Sequence, residues 1–236
     1  MSPETTRKIQ LLLAAGIAIA AIRTGYIFYQ RHQSSAAPVK QETALRADYY
    51  VTPKKLHPYD LRSARELTRQ PVWVRDGYRF TYYPYNAAGG RTDFAHEAGT
   101  LAPIEELQIT DVVTDSTPGK PAQKQVMAVF QKEGKSYAFP IGMMQGSNYT
   151  IYSDDMLFVQ DPHELYKHWP ADVWDAIARH EVRPGMNQLQ ADFAVGMGSP
   201  DNLHDAENRT VTYPNHGNPL LVTYVNDRAV QVKPGT

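Results

Sequence analysis

The first thirty residues constrain this chain most. After MSPETTRK, Ile9 to Ile22 read IQLLLAAGIAIAAI, an uncharged, mostly apolar run of 14. Arg23 interrupts the run, and Tyr26-Ile27-Phe28-Tyr29 resumes it. As a helix rising ~1.5 Å per residue, Ile9 to Tyr29 extends about 31 Å. A bilayer core is about 30 Å thick. Ile9, Leu11, Leu12, Leu13, Ile17, Ile19 and Ile22 supply the anchor. Arg23 near its far end can raise its guanidinium to the headgroups, and Tyr26, Phe28 and Tyr29 form an interfacial aromatic belt. The pattern predicts a tail over 1–8, one transmembrane helix over 9–29, and a soluble remainder.

A secretory signal is the competing reading of the same stretch. It would use the basic start, the short apolar core and a small-residue site at Ser35-Ala36-Ala37. The aromatic run after Arg23 is unlike the polar end of a signal. Either way the remainder crosses the membrane if the N-terminus stays inside. Arg7 and Lys8 on one side are matched by Arg31, Lys40 and Arg46 on the other, so the positive-inside rule does not decide the orientation. The arrangement suits a bacterial inner-membrane protein whose soluble part is periplasmic.

Composition removes several function classes. Lys and Arg number 24 against 25 Asp and Glu, giving a net charge of −1, so no basic excess exists to hold nucleic acid. With no cysteine, disulfides, thiol catalysis and thiolate metal sites are excluded. The 15 tyrosines against 7 phenylalanines suit small β-domains and interaction surfaces.

Beyond the anchor the patterning divides the chain. Residues 30–70 read as a tether: QSSAAPVKQ is small and polar, and Pro53 and Pro58 keep the next stretch from continuous regular structure. A short helix around Tyr59–Arg69 with Asp60 as N-cap fits inside it. Residues 71–160 carry period-two strands, including Val126–Phe130, a Glu133-Gly134-Lys135 turn and a return strand Tyr137–Ile141. Several short strands separated by turns predict a small β-barrel-like module resembling the Src-homology-3 type. Residues 161–236 turn helical. Asp161-Pro162-His163-Glu164 opens a helix, with Glu164 placed to close a capping box. A second helix runs Asp172–His180, and a third is capped by Asn187 and stopped at Gly196–Pro200. Strands at 210–213, 220–225 and 229–232 complete the chain, joined by turn signals at Asn215–Asn218 and Asn226-Asp227. The fold class is α+β: a transmembrane helix, a β-barrel-like module, then two helices on an antiparallel sheet.

The last third resembles the SmpA/OmlA family, small subunits of the outer-membrane β-barrel assembly machine. The residues carrying the likeness are Ile177, Val182-Arg-Pro-Gly185-Met186, Gln188, Gly198-Ser-Pro200-Asp201 and Val211-Thr-Tyr213. The resemblance implies a protein-binding helix-plus-sheet scaffold, shared with beta-lactamase-inhibitor proteins, and no catalytic residue. Three departures stand out. The family's lipidated cysteine is absent, its helix-start threonine is Asn187, and its strand tryptophan is Val211.

The densest polar cluster is Asp154, Asp155, Asp161, His163, His168, Asp172, Asp175 and His180. A hydrolase or metal site would use it. On one helix His163 and His168 would lie ~140° apart, and no H-E-x-x-H or G-x-S-x-G pattern exists. Caps and solvated helix ends account for these residues better. No catalytic, cofactor or metal residue is therefore assigned. The candidate contact residues are aromatic. Tyr82, Tyr83 and Tyr85 surround Pro84, and strand alternation turns at least one of them outward. Trp169 and Trp174 fall between the two modules, as glue or as a docking patch. The function expected is a non-catalytic accessory subunit of a larger membrane complex, such as a photosynthetic or respiratory one, with lipid and other subunits as its partners. An envelope-assembly or stress factor and an extracytoplasmic hydrolase are the alternatives.

Overall fold

The computed structural model describes residues 23–26, 47–117 and 119–235. The chain forms two compact units, Met1–Arg46 and Ala47–Thr236. In the first, residues 23–26 are helical and exposed, Tyr26 among them. The rest of the predicted anchor, from Ile9 through Ile22 and again at Phe28 and Tyr29, lies outside the described residues. Among the described residues no helix is long and apolar enough to cross a membrane.

The second unit is mostly sheet. It opens with a 3-10 turn (Ala47–Tyr50), then helix α1 (Leu61–Ala64) and a second 3-10 turn (Arg65–Arg69), followed by strands β1 (Val72–Val74), β2 (Thr81–Asn86), β3 (Arg91–Thr92), β4 (Gly99–Thr100) and β5 (Glu106–Leu107). The long strands come next: β6 (Ile109–Thr117), β7 (Lys120–Lys132), β8 (Lys135–Gln145) and β9 (Asn148–Ile151). After them come α2 (Ser153–Met156), β10 (Leu157–Phe158), α3 (Pro162–Leu165), α4 (Ala171–Ala178) and α5 (Gln188–Val195). The chain ends in β11 (Ser199–Pro200), β12 (Arg209–Tyr213), β13 (Leu220–Val225) and β14 (Arg228–Pro234).

The main sheet runs β3-β2-β8-β7-β6, with β4 added to β2 and β9 to β8. β7 and β8 meet at a two-residue turn, Glu133-Gly134, with φ of 51° and 75°, the left-handed pair that a tight hairpin requires. β8 is bent in its middle. Val126 pairs with Gly142 and Met127 with Pro140, so Ile141 is an extra, bulged residue. Before the bend β8 pairs with β2, and after it with β9. Pro140, with no N–H to donate, falls at this change of partner. Gly142 is needed there because a Cβ would lie 2.5 Å from the Thr150 carbonyl oxygen of β9. The sheet curls until its two ends approach, and the Thr92 N–H of β3 donates to Asp115 of β6 at 2.6 Å.

Both faces of this sheet are covered. Val112, Val126, Ala128, Phe130, Phe139 and Tyr82 turn to a core completed by Ala64, Leu67, Val72, Val74 and Leu101. Met127, Val129 and Ala138 turn the other way, under Tyr83, Tyr85 and Phe94. A further core lies among α4, α5 and the C-terminal sheet, with Tyr213 and Tyr224 at its centre. The small sheet β10-β1-β5 is the wall between the first and last of these cores. Side chains alternate across it: Val72, Val74, Leu107 and Leu157 enter the first core, while Trp73 and Phe158 enter the other.

Two expectations change here. From Ala47 on, the region expected as a tether is part of the folded unit, because Ala64 and Leu67 are fully buried. Asp60 does cap α1 as expected, receiving the Ser63 N–H at 2.7 Å while the Ser63 hydroxyl closes the box. Secondly, α3 is a single turn. Asp161 caps it through the His163 N–H at 2.8 Å, and exposed Glu164 closes no box with it. The two later helices and the antiparallel sheet form as the spacing predicts, with β11 added in front as a fourth strand.

Candidate functional site

Most members of the polar cluster are engaged internally, at separate places. Asp154 accepts the backbone N–H of Leu56 at 3.0 Å and of His57 at 2.8 Å, which fastens the 52–58 segment to α2. Asp155 pairs with Lys55. His168 turns away from His163 and donates to Asp48 at 2.6 Å. Asp48 is a residue that sequence reasoning missed. One of its oxygens also takes the Trp169 indole N–H at 2.7 Å, and the other takes the Asn187 amide at 2.7 Å. Nothing local marks it, because its three donors lie 120 or more positions away.

The candidate aromatics separate as well. Tyr82 and Trp169 are core residues, and Trp169 stacks on Tyr166 with ring centroids 4.5 Å apart. Tyr83 and Tyr85 are half-buried lids over the smallest core, with Tyr83 5.3 Å from Phe94. Trp174 is half-buried and lies 4.1 Å from the His163 ring in a stacked pair.

Trp174 leads to a place where cluster residues from separate elements meet. A cavity of about 290 Å³ opens between residues 102–105 and α4, lined by Pro103, Ile104, Glu105, His163, Trp174, Ile177 and His180. It unites His163 and His180, which sequence spacing alone would keep apart. No Ser, Thr or Lys lines it; its titratable side chains are Glu105, His163 and His180. Among the described residues no three His, Cys, Asp or Glu side chains are grouped to hold a metal ion. Both Ile104 (φ 56°) and His180 (φ 55°) are held in the left-handed region, which is costly for a β-branched residue such as isoleucine. A second cavity of about 400 Å³ is lined by Lys54, Lys55, His57 and Arg75 together with Asp154, Leu157 and Phe158.

A polar chain also runs beneath the C-terminal sheet. Asp192 of α5 bonds the Tyr213 hydroxyl, which lies 2.8 Å from the Tyr224 hydroxyl. Burial pushes the Asp192 carboxyl up to about 7, with neighbouring Asp76 adding to the effect. Burial likewise raises both tyrosines. Close by, Gly196 permits the approach of the 77–78 backbone: a Cβ there would lie 2.7 Å from the Gly77 carbonyl oxygen.

No family model, no curated protein and no solved structure matches this chain. What the fold defines is a class: an α+β unit, two of whose cores share one wall.

Proposed function

We propose that this chain is a non-catalytic, single-pass membrane-anchored accessory subunit that works through protein–protein contacts within a larger membrane complex. One observation carries the reading. Most of the polar cluster is engaged in holding the fold: Asp154 on backbone N–H groups, Asp161 on a helix start, His168 on Asp48. The outward face offers contact surface instead. Leu221, Val225 and Val230 are exposed on the C-terminal sheet, apolar residues of the kind that docking surfaces use. The apolar length of Ile9–Tyr29 supports an anchor in the inner membrane, and on this reading the folded unit lies in the periplasm.

Purification of the full chain in mild detergent, followed by mass spectrometry, tests this. One or more partners at fixed stoichiometry are expected. A chain that elutes alone would refute the reading. The second reading, an envelope-assembly factor of the SmpA/OmlA type, draws on α4 and α5 preceding the antiparallel sheet and on the Asn187 cap. It predicts transient partners and an envelope-stress phenotype on deletion.

A further inference from the structure

We propose that the cavity between residues 102–105 and α4 receives an arginine side chain of the partner protein. This rests on the accessory-subunit reading and names the chemistry of one contact. At about 290 Å³ the cavity lies at the small end of ligand pockets, which span roughly 300–1,000 Å³. It has room for one side chain.

The polar groups of its lining are largely acceptors, the Trp174 indole N–H being a donor among them. The backbone donors are already used: Ile104 N–H on Val74, Glu105 N–H on Ala102, Trp174 N–H on Pro170 and His180 N–H on Ile177. The Ala102 N–H is on the Glu105 carboxylate, and Pro103 has none. His180 Nδ1 lies 3.0 Å from the Ala194 carbonyl oxygen. A carbonyl only accepts, so Nδ1 carries the proton, and in the neutral ring Nε2 presents a lone pair. His163 Nδ1 stands 2.9 Å from Asp161 Oδ1, which fixes the same tautomer. Neither Nε2 has a partner among the described residues. Glu105 accepts from Lys132 at 2.6 Å and from the Ala102 N–H at 2.9 Å. Each of its oxygens keeps a further lone pair.

Such a lining asks for a multiple donor. Ile177 and Ala178 bring the C-terminal end of α4 to the cavity, and that end of a helix favours a cation. Because Lys132 offsets the charge of Glu105, net charge alone does not choose the occupant. Shape and donor count do. A guanidinium is flat, carries five N–H donors and stacks on aromatic rings, whereas an ammonium is a compact, strongly hydrated point. The apolar walls, Pro103, Ile104, Ile177 and the Trp174 indole, suit the flat group. The left-handed backbone at Ile104 and His180 holds two of the lining residues in conformations of the kind that persist at ligand clamps.

Acetyl-arginine amide, titrated into the full chain in mild detergent, tests the assignment, with the imidazole nitrogens followed by NMR. Saturable binding with a Kd of about 1 mM or tighter is expected, shifting Nε2 of His163 and His180. Acetyl-citrulline amide, nearly the same shape but uncharged and with fewer donors, should bind about tenfold more weakly. Glu105→Gln and His180→Phe should each weaken binding about fivefold. His163→Phe, at an exposed position, serves if either variant fails to fold. Equal binding of citrulline, shifts confined to residues elsewhere, or no saturation would overturn the proposal. So would zinc ion alone shifting both Nε2 resonances and blocking arginine amide. A stoichiometric partner without arginine-amide binding would sink this contact and leave the accessory reading standing. Arginine-amide binding by a chain that elutes without partners would do the reverse.

Discussion

Replacing Asp48 by alanine should loosen the folded unit more than any other single change near its N-terminal end. Its side chain is 15% exposed and receives three donors: His168 at 2.6 Å, Trp169 at 2.7 Å and Asn187 at 2.7 Å. Trp169 and Asn187 are buried, at 6% and 5% exposure, and cannot turn to water when the carboxylate is gone. A buried donor left without an acceptor costs about 1–3 kcal/mol. His168 is more exposed and rehydrates. The sum is a loss of roughly 2–5 kcal/mol, or on the order of 10 °C in Tm for a unit of this size. Asp48→Asn, which keeps one acceptor oxygen, should lose about half as much. Urea unfolding of the full chain in detergent, followed by far-UV circular dichroism, measures both. A cycle with Trp169→Phe should give a coupling of about 0.5–3 kcal/mol. A loss under about 0.5 kcal/mol with no coupling would refute the latch and with it the inclusion of residues 47–50 in the fold.

Asp192 predicts a pH dependence. Its carboxyl, raised from 3.8 to about 7 chiefly by burial, stays neutral when folded and ionises when unfolded. The stability it contributes is full below about pH 4 and is lost as pH rises to about 7, by up to a few kcal/mol. Asp192→Asn should flatten that slope, and an unchanged slope would show that another group causes it. Gly142→Ala should cost about 1–3 kcal/mol by overpacking against β9, and a wild-type urea midpoint would contradict the close approach of Thr150. Intact-mass analysis of the membrane-extracted protein should retain residues 9–29, whereas a mature form beginning near Ala37 would establish the secretory reading.

Local chemistry alone determined much of the secondary structure. The caps at Asp60, Asp161 and Asn187 and the turns at Glu133-Gly134 and Asn226-Asp227 are read from a few adjacent residues, because each depends on the φ/ψ preferences and short-range hydrogen bonds of those residues. The β7–β8 hairpin and the helices followed by a sheet were legible for the same reason. Strand alternation was enough to place Tyr82 opposite to Tyr83. Only the packing shows that both faces are covered, since Phe94 and Val113 come from other strands and loops. The candidate site was less legible. Sequence spacing set His163 and His180 on different elements, and the single turn of α3, stacked on Trp174, brings them to one cavity. Asp48 was invisible for a related reason: its three donors were each read for a different role, and their meeting depends on which surfaces of distant segments exclude water together. The wall of β10, β1 and β5 shows the same limit. Its three strands are two or three residues each, too short to signal a period, and tertiary burial on both sides decides that they pair.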